Sequence, residues 1–101
     1  MAGITRNKPR EAYVEKMHAK LDELAADIDR IEAKARVAKA DAKIAWNERL
    51  EAIRTRRSAT QARLEALKAG GGAAWDNLKN GVEEAWAELQ EAVRDARRNL
   101  S

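Results

Sequence analysis

The sequence predicts an all-α protein in which a long helix and a shorter antiparallel helix form a coiled-coil hairpin with an extended N-terminal arm that self-associates. Residues 10–69 contain neither glycine nor proline, and three consecutive glycines follow at 70–72. Apolar residues recur at alternating intervals of three and four, the spacing of a coiled-coil seam. Charged residues make up 37% of the chain, yet the net charge is only +3, so acidic and basic side chains are interspersed along the helices.

Glycine positions set the predicted helix boundaries. Gly70 suits the left-handed cap that ends many helices, and Gly72 suits the N-cap of the next one, with Asp76 in its positive first turn. The predicted segments are a flexible N-terminus at 1–8, a long helix at 9–69 made of an arm (9–41) and one half of the hairpin (42–69), a glycine turn at 70–72, and a second amphipathic helix at 73–100.

The arm carries an apolar stripe that the predicted hairpin leaves uncovered. Large apolar side chains gain roughly 1.5 to 3 kcal/mol each on leaving water, so a partner must cover this stripe, and a second copy of the chain is the simplest one. The predicted oligomer or partner interface consists of Val14, Met17, Leu21, Leu24, Ile28 and Ile31.

Charge favours an antiparallel homodimer, or a higher oligomer built from it. In a parallel dimer, Lys34 would face Lys39 of the other copy. Antiparallel pairing avoids this repulsion. If the numbers of facing residues add up to about 81, Ile28 meets Ile53 across the two-fold axis.

The seam slips by one residue after Ala42 and resumes at Trp46. No glycine or proline marks a turn there, so we interpret the slip as a shift within one continuous helix. The alternative is a chain break that folds the molecule into a compact three-helix monomer.

The second helix is expected to fold back about Gly71, so that Leu78 meets Leu64 and Leu89 meets Ile53. Arg57 is expected to lay its stem across Trp86. The predicted hairpin core consists of Trp46, Leu50, Ile53, Leu64, Leu67, Trp75, Leu78, Val82 and Leu89.

Residues 75–89 read W-x-x-L-K-x-G-V-E-x-A-W-x-x-L. Together with R-E-A-Y-V-E-K-M-H-A-K-L-D-E-L at 10–24, this pattern resembles a family of small bacterial coiled-coil stress-response proteins. The resemblance implies a cytoplasmic, non-enzymatic helical protein with no catalytic site to carry over. A cytoplasmic location is also expected because residues 1–8 lack the apolar run of a signal peptide.

The sequence offers little material for catalysis or metal binding. The chain has no cysteine, and its only histidine is His18. No nucleophile and base can therefore be assembled, and we expect no enzymatic activity and no cofactor. Glu15 and His18 have the spacing of a di-iron carboxylate motif, but such sites need two motifs and further inward carboxylates. A surface histidine is the preferred interpretation.

A basic run at Arg54, Arg56 and Arg57 could bind phosphate groups. Pairing with the acidic second helix is the preferred interpretation, because no aromatic stacking surface accompanies the run, and no specific nucleic-acid partner is expected.

The second helix also carries a stripe of Trp75, Trp86 and Val93 that could contact a membrane or a partner. Core packing is the ordinary explanation of such spacing, and the acidic polar face of this helix disfavours anionic membranes.

Together these features predict a non-enzymatic coiled-coil structural or interaction protein, associated with stress, that acts through self-association and helix-mediated binding of an unidentified protein partner. The alternative is a reversible adaptor for a membrane surface or a large complex, in which the second helix detaches and offers its tryptophans.

Overall fold

A computed structural model describes residues 2–70 and 72–98, with side chains from residue 9 onward. The described residues are all helical apart from short connections, so the predicted all-α class is confirmed. The molecule measures 58 × 20 × 17 Å. Its elements are α1 (Ala2–Val37), α2 (Ala40–Ala69), a 3₁₀ turn (Gly72–Ala74) and α3 (Trp75–Arg98).

The predicted continuous helix at 9–69 is wrong, because the chain breaks at Ala38 and Lys39. Lys39 has φ −67° and ψ 158°, an extended conformation that lets the chain reverse. A few backbone hydrogen bonds of a continuous helix are absent at this break, and each contributes about 0.5 to 1.5 kcal/mol net. Because of this break, α1 folds onto the rest of the chain and buries five of the six large residues of its apolar stripe, with Leu24 half-buried. The three-helix arrangement that was the alternative is the one found.

The first helix also begins earlier than predicted. The flexible N-terminus expected at 1–8 is helical from Ala2, while Met1 lies outside the described residues. Pro9 lies inside α1. One proline removes a single backbone hydrogen bond, which bends a helix more readily than it ends it.

The glycine turn was predicted to have Gly70 in the left-handed conformation, but Gly72 has it instead. Gly70 is extended, with φ −81° and ψ 162°, whereas Gly72 has φ +62°. Close packing explains glycine at position 70, because a Cβ there would lie 2.6 Å from Cδ1 of Leu78. Gly71 lies outside the described residues. The second helix starts through a 3₁₀ turn at Gly72 and is α-helical from Trp75, not from Ala73, and its predicted end at residue 100 lies outside the described range.

Contacts along the bundle define how the helices run. Val14 and Leu67 line the same groove at one end, and near the other end Arg54 of α2 pairs with Glu32 of α1 at 3.5 Å. Helices α1 and α2 are therefore antiparallel. Their register, with facing residue numbers adding up to about 81 to 86, is close to that expected between two copies, but it occurs within one chain.

Helix α3 packs along α2 and runs parallel to α1. Its first residue, Trp75, contacts the ring of Tyr13, and towards its far end Arg97 lies 3.6 Å from Asp27. Each helix thus contacts the other two around one shared core.

The expectation that the arm stripe is uncovered within its own chain is wrong. Leu24 is half-buried against the core, and the other five residues are at most 8% exposed, namely Val14, Met17, Leu21, Ile28 and Ile31. They share one core with the residues assigned to the hairpin. Of these, Trp75 and Leu78 are half-buried against the core, whereas those that are fully part of it are Trp46, Leu50, Ile53, Leu64, Leu67, Val82 and Leu89.

Candidate interaction site between α1 and α3

The most distinctive side-chain cluster lies where α1 meets α3. Because these two helices run parallel, residues near the start of α1 lie beside the first turns of α3. The cluster combines rings with cations contributed by both helices. We call it the aromatic seam, and its residues are Arg10, Tyr13, Lys20, Trp75, Lys79 and Trp86.

At one end of the aromatic seam, rings and cations alternate. Tyr13 and Trp75 meet edge to face, with centroids 6.1 Å apart and planes at 74°. The guanidinium carbon of Arg10 lies 4.8 Å from the Trp75 centroid, and Nζ of Lys79 lies 5.0 Å from the Tyr13 centroid. Such ring pairs contribute about 0.5 to 1.5 kcal/mol beyond their buried area, and exposed cation–π contacts about 0.5 to 1 kcal/mol.

The Tyr13 hydroxyl is buried without a hydrogen-bond partner. Burial raises the pKa of this hydroxyl above its ordinary value of 10.0, and the nearby carboxylate of Glu83 raises it further. The two groups face each other closely enough to interact electrostatically, but they do not reach hydrogen-bonding geometry. A buried donor left in this state costs stability.

Further along, Nζ of Lys20 lies 5.9 Å from the centroid of Trp86. The cation at this ring therefore comes from α1, where Arg57 of α2 was expected. The Nε atom of Arg57 is instead buried without a hydrogen-bond partner. On α2, Arg49 lies 5.3 Å from the ring of Trp46, outside the aromatic seam.

Sequence reasoning identified Trp75 and Trp86 but not their partners on α1. Arg10 and Tyr13 are three residues apart, so they share a helix face, and this is the one signal that could have selected them. The stripe predicted on the second helix is only partly available, because Trp75 and Trp86 are half-buried and Val93 is 2% exposed.

A groove of about 490 Å³ adjoins the aromatic seam at the end of the bundle. Glu15 and His18 both line it, beside Arg10 and Trp75. Within the part of the chain that the structure describes, no three His, Cys, Asp or Glu side chains come together as they would to hold a metal ion. The groove therefore presents charges of both signs beside an indole ring.

The basic run divides between two neighbours. Arg54 pairs with Glu32 of α1, at 3.5 Å, and not with α3. Arg56 lines a surface groove together with Glu88 and Glu91 of α3. These arginines thus face carboxylates of the same chain.

No helix among the described residues combines the length and apolarity that crossing a membrane requires. Comparisons of the chain with protein-family models, with curated proteins and with solved structures found no match.

Proposed function

We propose that this protein is a non-enzymatic structural protein that acts through helix-mediated binding, with α1 as the helix that a partner helix can replace. In this proposal the bundle opens between α1 and the other two helices, and the groove left on α2 and α3 accepts an amphipathic helix in trans. The association with stress is part of the proposal and is supported by the resemblance of the 75–89 pattern.

The observation that carries this proposal is the composition of the aromatic seam. Trp, Tyr and Arg are the residues most enriched at the energetic centres of protein–protein interfaces. Here Trp75, Tyr13 and Arg10 join two helices of one chain. Cation–π contacts and surface ion pairs are individually weak, so they guide the docking of a helix without making it permanent.

Helix α1 also has what a replaceable element needs. Its stripe is continuous, from Val14 at 8% exposure to Ile31 at 0%, so it docks as a single amphipathic helix. Only Ala38 and Lys39 connect it to α2, so it can separate from the other two helices as a unit.

The test is binding of a labelled peptide with the sequence of residues 9–37 to the full-length protein, followed by fluorescence anisotropy. We expect saturable binding, competed by the unlabelled peptide. A matched peptide with Leu21→Asp and Ile28→Asp should not bind, because both residues are buried in the core. Equal anisotropy with and without protein, after prolonged incubation at the highest soluble concentration, would refute the proposal.

Reversible binding to an anionic membrane surface is the second candidate, and one observation favours it. On α3 alone the tryptophans are surrounded by acidic residues, but α1 places Arg10 over Trp75 and Lys20 over Trp86. Basic side chains beside half-buried indoles are the combination that lipid interfaces attract.

Tryptophan fluorescence separates the two candidates. Vesicles of phosphatidylglycerol, but not of phosphatidylcholine, should shift the emission to shorter wavelength, and Arg10→Glu with Lys20→Glu should abolish the shift. Arg49→Glu is the matched control, because Arg49 lies over Trp46 away from the aromatic seam. An unshifted spectrum and no co-sedimentation with the anionic vesicles would remove this candidate.

A further inference from the structure

The connection between α1 and α2 is unusual because its sequence is compatible with helix. It consists of Ala38 and Lys39, two residues with high helix propensity. Lys39 already has φ −67°, within the range of an α-helix, and only its ψ of 158° is extended. Rotation of this ψ towards helical values moves Lys39 into the conformation of its neighbours.

Ala38 is half-buried against the core, and little else holds this turn closed. No side chain caps the first amide groups of α2. The large apolar residues nearest to the turn do not close over it, because Val37 is 80% exposed and Ile44 is 67% exposed. The closed form is therefore maintained by the packing of α1 on α2 and α3, and not by the turn itself.

The α1 to α2 contacts can form equally well between two copies. They are antiparallel, with Val14 and Leu67 lining one groove and Glu32 paired with Arg54 towards the other end. If each chain straightens at Ala38 and Lys39, an antiparallel pair of long helices results, with a two-fold axis at about residues 40 to 43. Each α1 then lies on the α2 and α3 of the other copy in the same register.

We propose that a second copy of this chain is a partner, and that the dimer forms by opening at Ala38 and Lys39 and exchanging α1. This inference rests on the proposed function, because it names the partner for helix-mediated binding. The exchanged dimer retains the buried core of the monomer. It also gains the backbone hydrogen bonds that the turn interrupts, since the amide and carbonyl groups at the two helix ends become part of one helix.

Backbone propensity at the turn therefore sets the balance between monomer and dimer. Ala38→Gly with Lys39→Gly should weaken dimerisation roughly 100-fold or more, because glycine disfavours the straight helix at both positions of both chains. Ala59→Gly with Ala62→Gly is the matched control. Both alanines are exposed in α2 and are helical in either form, so dimerisation should be unchanged while the melting temperature falls. Sedimentation velocity over a concentration series measures both effects.

Exchange itself is tested with isotopes. The variant Arg54→Lys, prepared with ¹⁴N and with ¹⁵N, is mixed, unfolded and refolded at high concentration, and then treated with a carbodiimide. This reagent couples Glu32 to the lysine introduced at position 54. Peptide mass spectrometry of the dimer fraction should show cross-links joining ¹⁴N to ¹⁵N peptides, and the monomer fraction should show none.

A dimer whose cross-links join only peptides of the same isotope overturns the exchange, as does a protein that is monomeric at every concentration after refolding. A glycine pair at the turn that leaves dimerisation unchanged also overturns it. In each case the labelled 9–37 peptide decides the proposed function separately. If it still binds, helix-mediated binding stands and only the identity of the partner is wrong.

Discussion

Tyr13 of α1 and Trp75 of α3 meet edge to face, with ring centroids 6.1 Å apart. This contact joins the early part of the first helix to the first residue of the last, at the end of the bundle opposite the Ala38 and Lys39 turn. Arg10 lies over the Trp75 ring and Lys79 over the Tyr13 ring. The Tyr13 and Trp75 contact therefore holds α1 against α3 at the end of the bundle away from the covalent connection between α1 and α2.

Removal of the Trp75 ring should weaken the packing of α1 against α3. We expect Trp75→Ala to lower the free energy of unfolding by about 2 to 4 kcal/mol, because a half-buried indole loses its ring contact, its cation and its packing. Trp75→Phe retains a ring at the site and should cost clearly less. Urea unfolding monitored by circular dichroism measures both, and equal losses for Ala and Phe would mean that the ring contact contributes nothing.

The isolated hydroxyl of Tyr13 yields a prediction of opposite sign. Tyr13→Phe removes a buried group that has no hydrogen-bond partner, so stability at neutral pH should be unchanged or should rise by up to about 1 kcal/mol. Tyr13→Ala, which removes the ring as well, should be clearly destabilising. A loss of stability in the Phe variant would show that the hydroxyl makes a favourable interaction.

Stability at high pH should respond to the same group. The pKa of Tyr13 is raised in the folded state above its ordinary value of 10.0, so the folded protein retains this proton more strongly than the unfolded chain. The stability that the folded protein owes to holding this proton is unchanged below pH 10.0, and it is lost as the pH rises through the higher folded pKa. Above about pH 10, the urea concentration at the midpoint of unfolding should therefore fall more for the wild type than for Tyr13→Phe. A constant difference across this range would contradict the assignment.

The shared core predicts that a charge buried in it disturbs all three helices. Leu89 is 0% exposed, and its cluster includes residues of all three helices, so Leu89→Asp should unfold α1 as well as α2 and α3, at a cost of about 4 kcal/mol or more. Ala87→Asp introduces the same charge at an exposed neighbour and should be nearly neutral. Native helicity of the Leu89 variant would contradict a single core.

Substitution by alanine should have opposite effects on stability at two of the glycines. At Gly70 a Cβ would lie 2.6 Å from Cδ1 of Leu78 and 3.1 Å from the carbonyl oxygen of Ala66, so Gly70→Ala should cost about 1 to 3 kcal/mol. Gly81 lies inside α3, and a Cβ there meets the flexible end of Arg63 at 3.2 Å. Gly81→Ala should therefore stabilise the protein by about 0.5 to 1 kcal/mol. Thermal melting measures both, and shifts of the same sign would refute the contrast.

Much of the core was predictable from spacing alone. Ile28 lies on the three-and-four apolar spacing before the slip, and Ile53 and Leu64 lie on the same spacing after it. Helical geometry places residues with this spacing on one face of a helix, whatever covers them. All three are at most 1% exposed. The antiparallel register of α1 on α2 was also predictable, because apolar positions interlock in few ways and the seam slip after Ala42 gives the two halves complementary phase.

The sequence by itself thus determined the all-α class, the apolar stripes and the register in which two of the stripes fit, but not where the long helix breaks. It did not determine whether the stripe of α1 is covered by its own chain or by another copy, because Ala38 and Lys39 have the local propensities of a helix and carry no turn signal. Only the tertiary structure showed that the single chain turns at these two residues and covers the stripe itself. Burial of the stripe within one chain outweighs a few backbone hydrogen bonds and avoids the entropy lost on association. The aromatic seam followed from the same choice, since Tyr13 and Lys20 reach Trp75 and Trp86 only after α1 folds back beside α3.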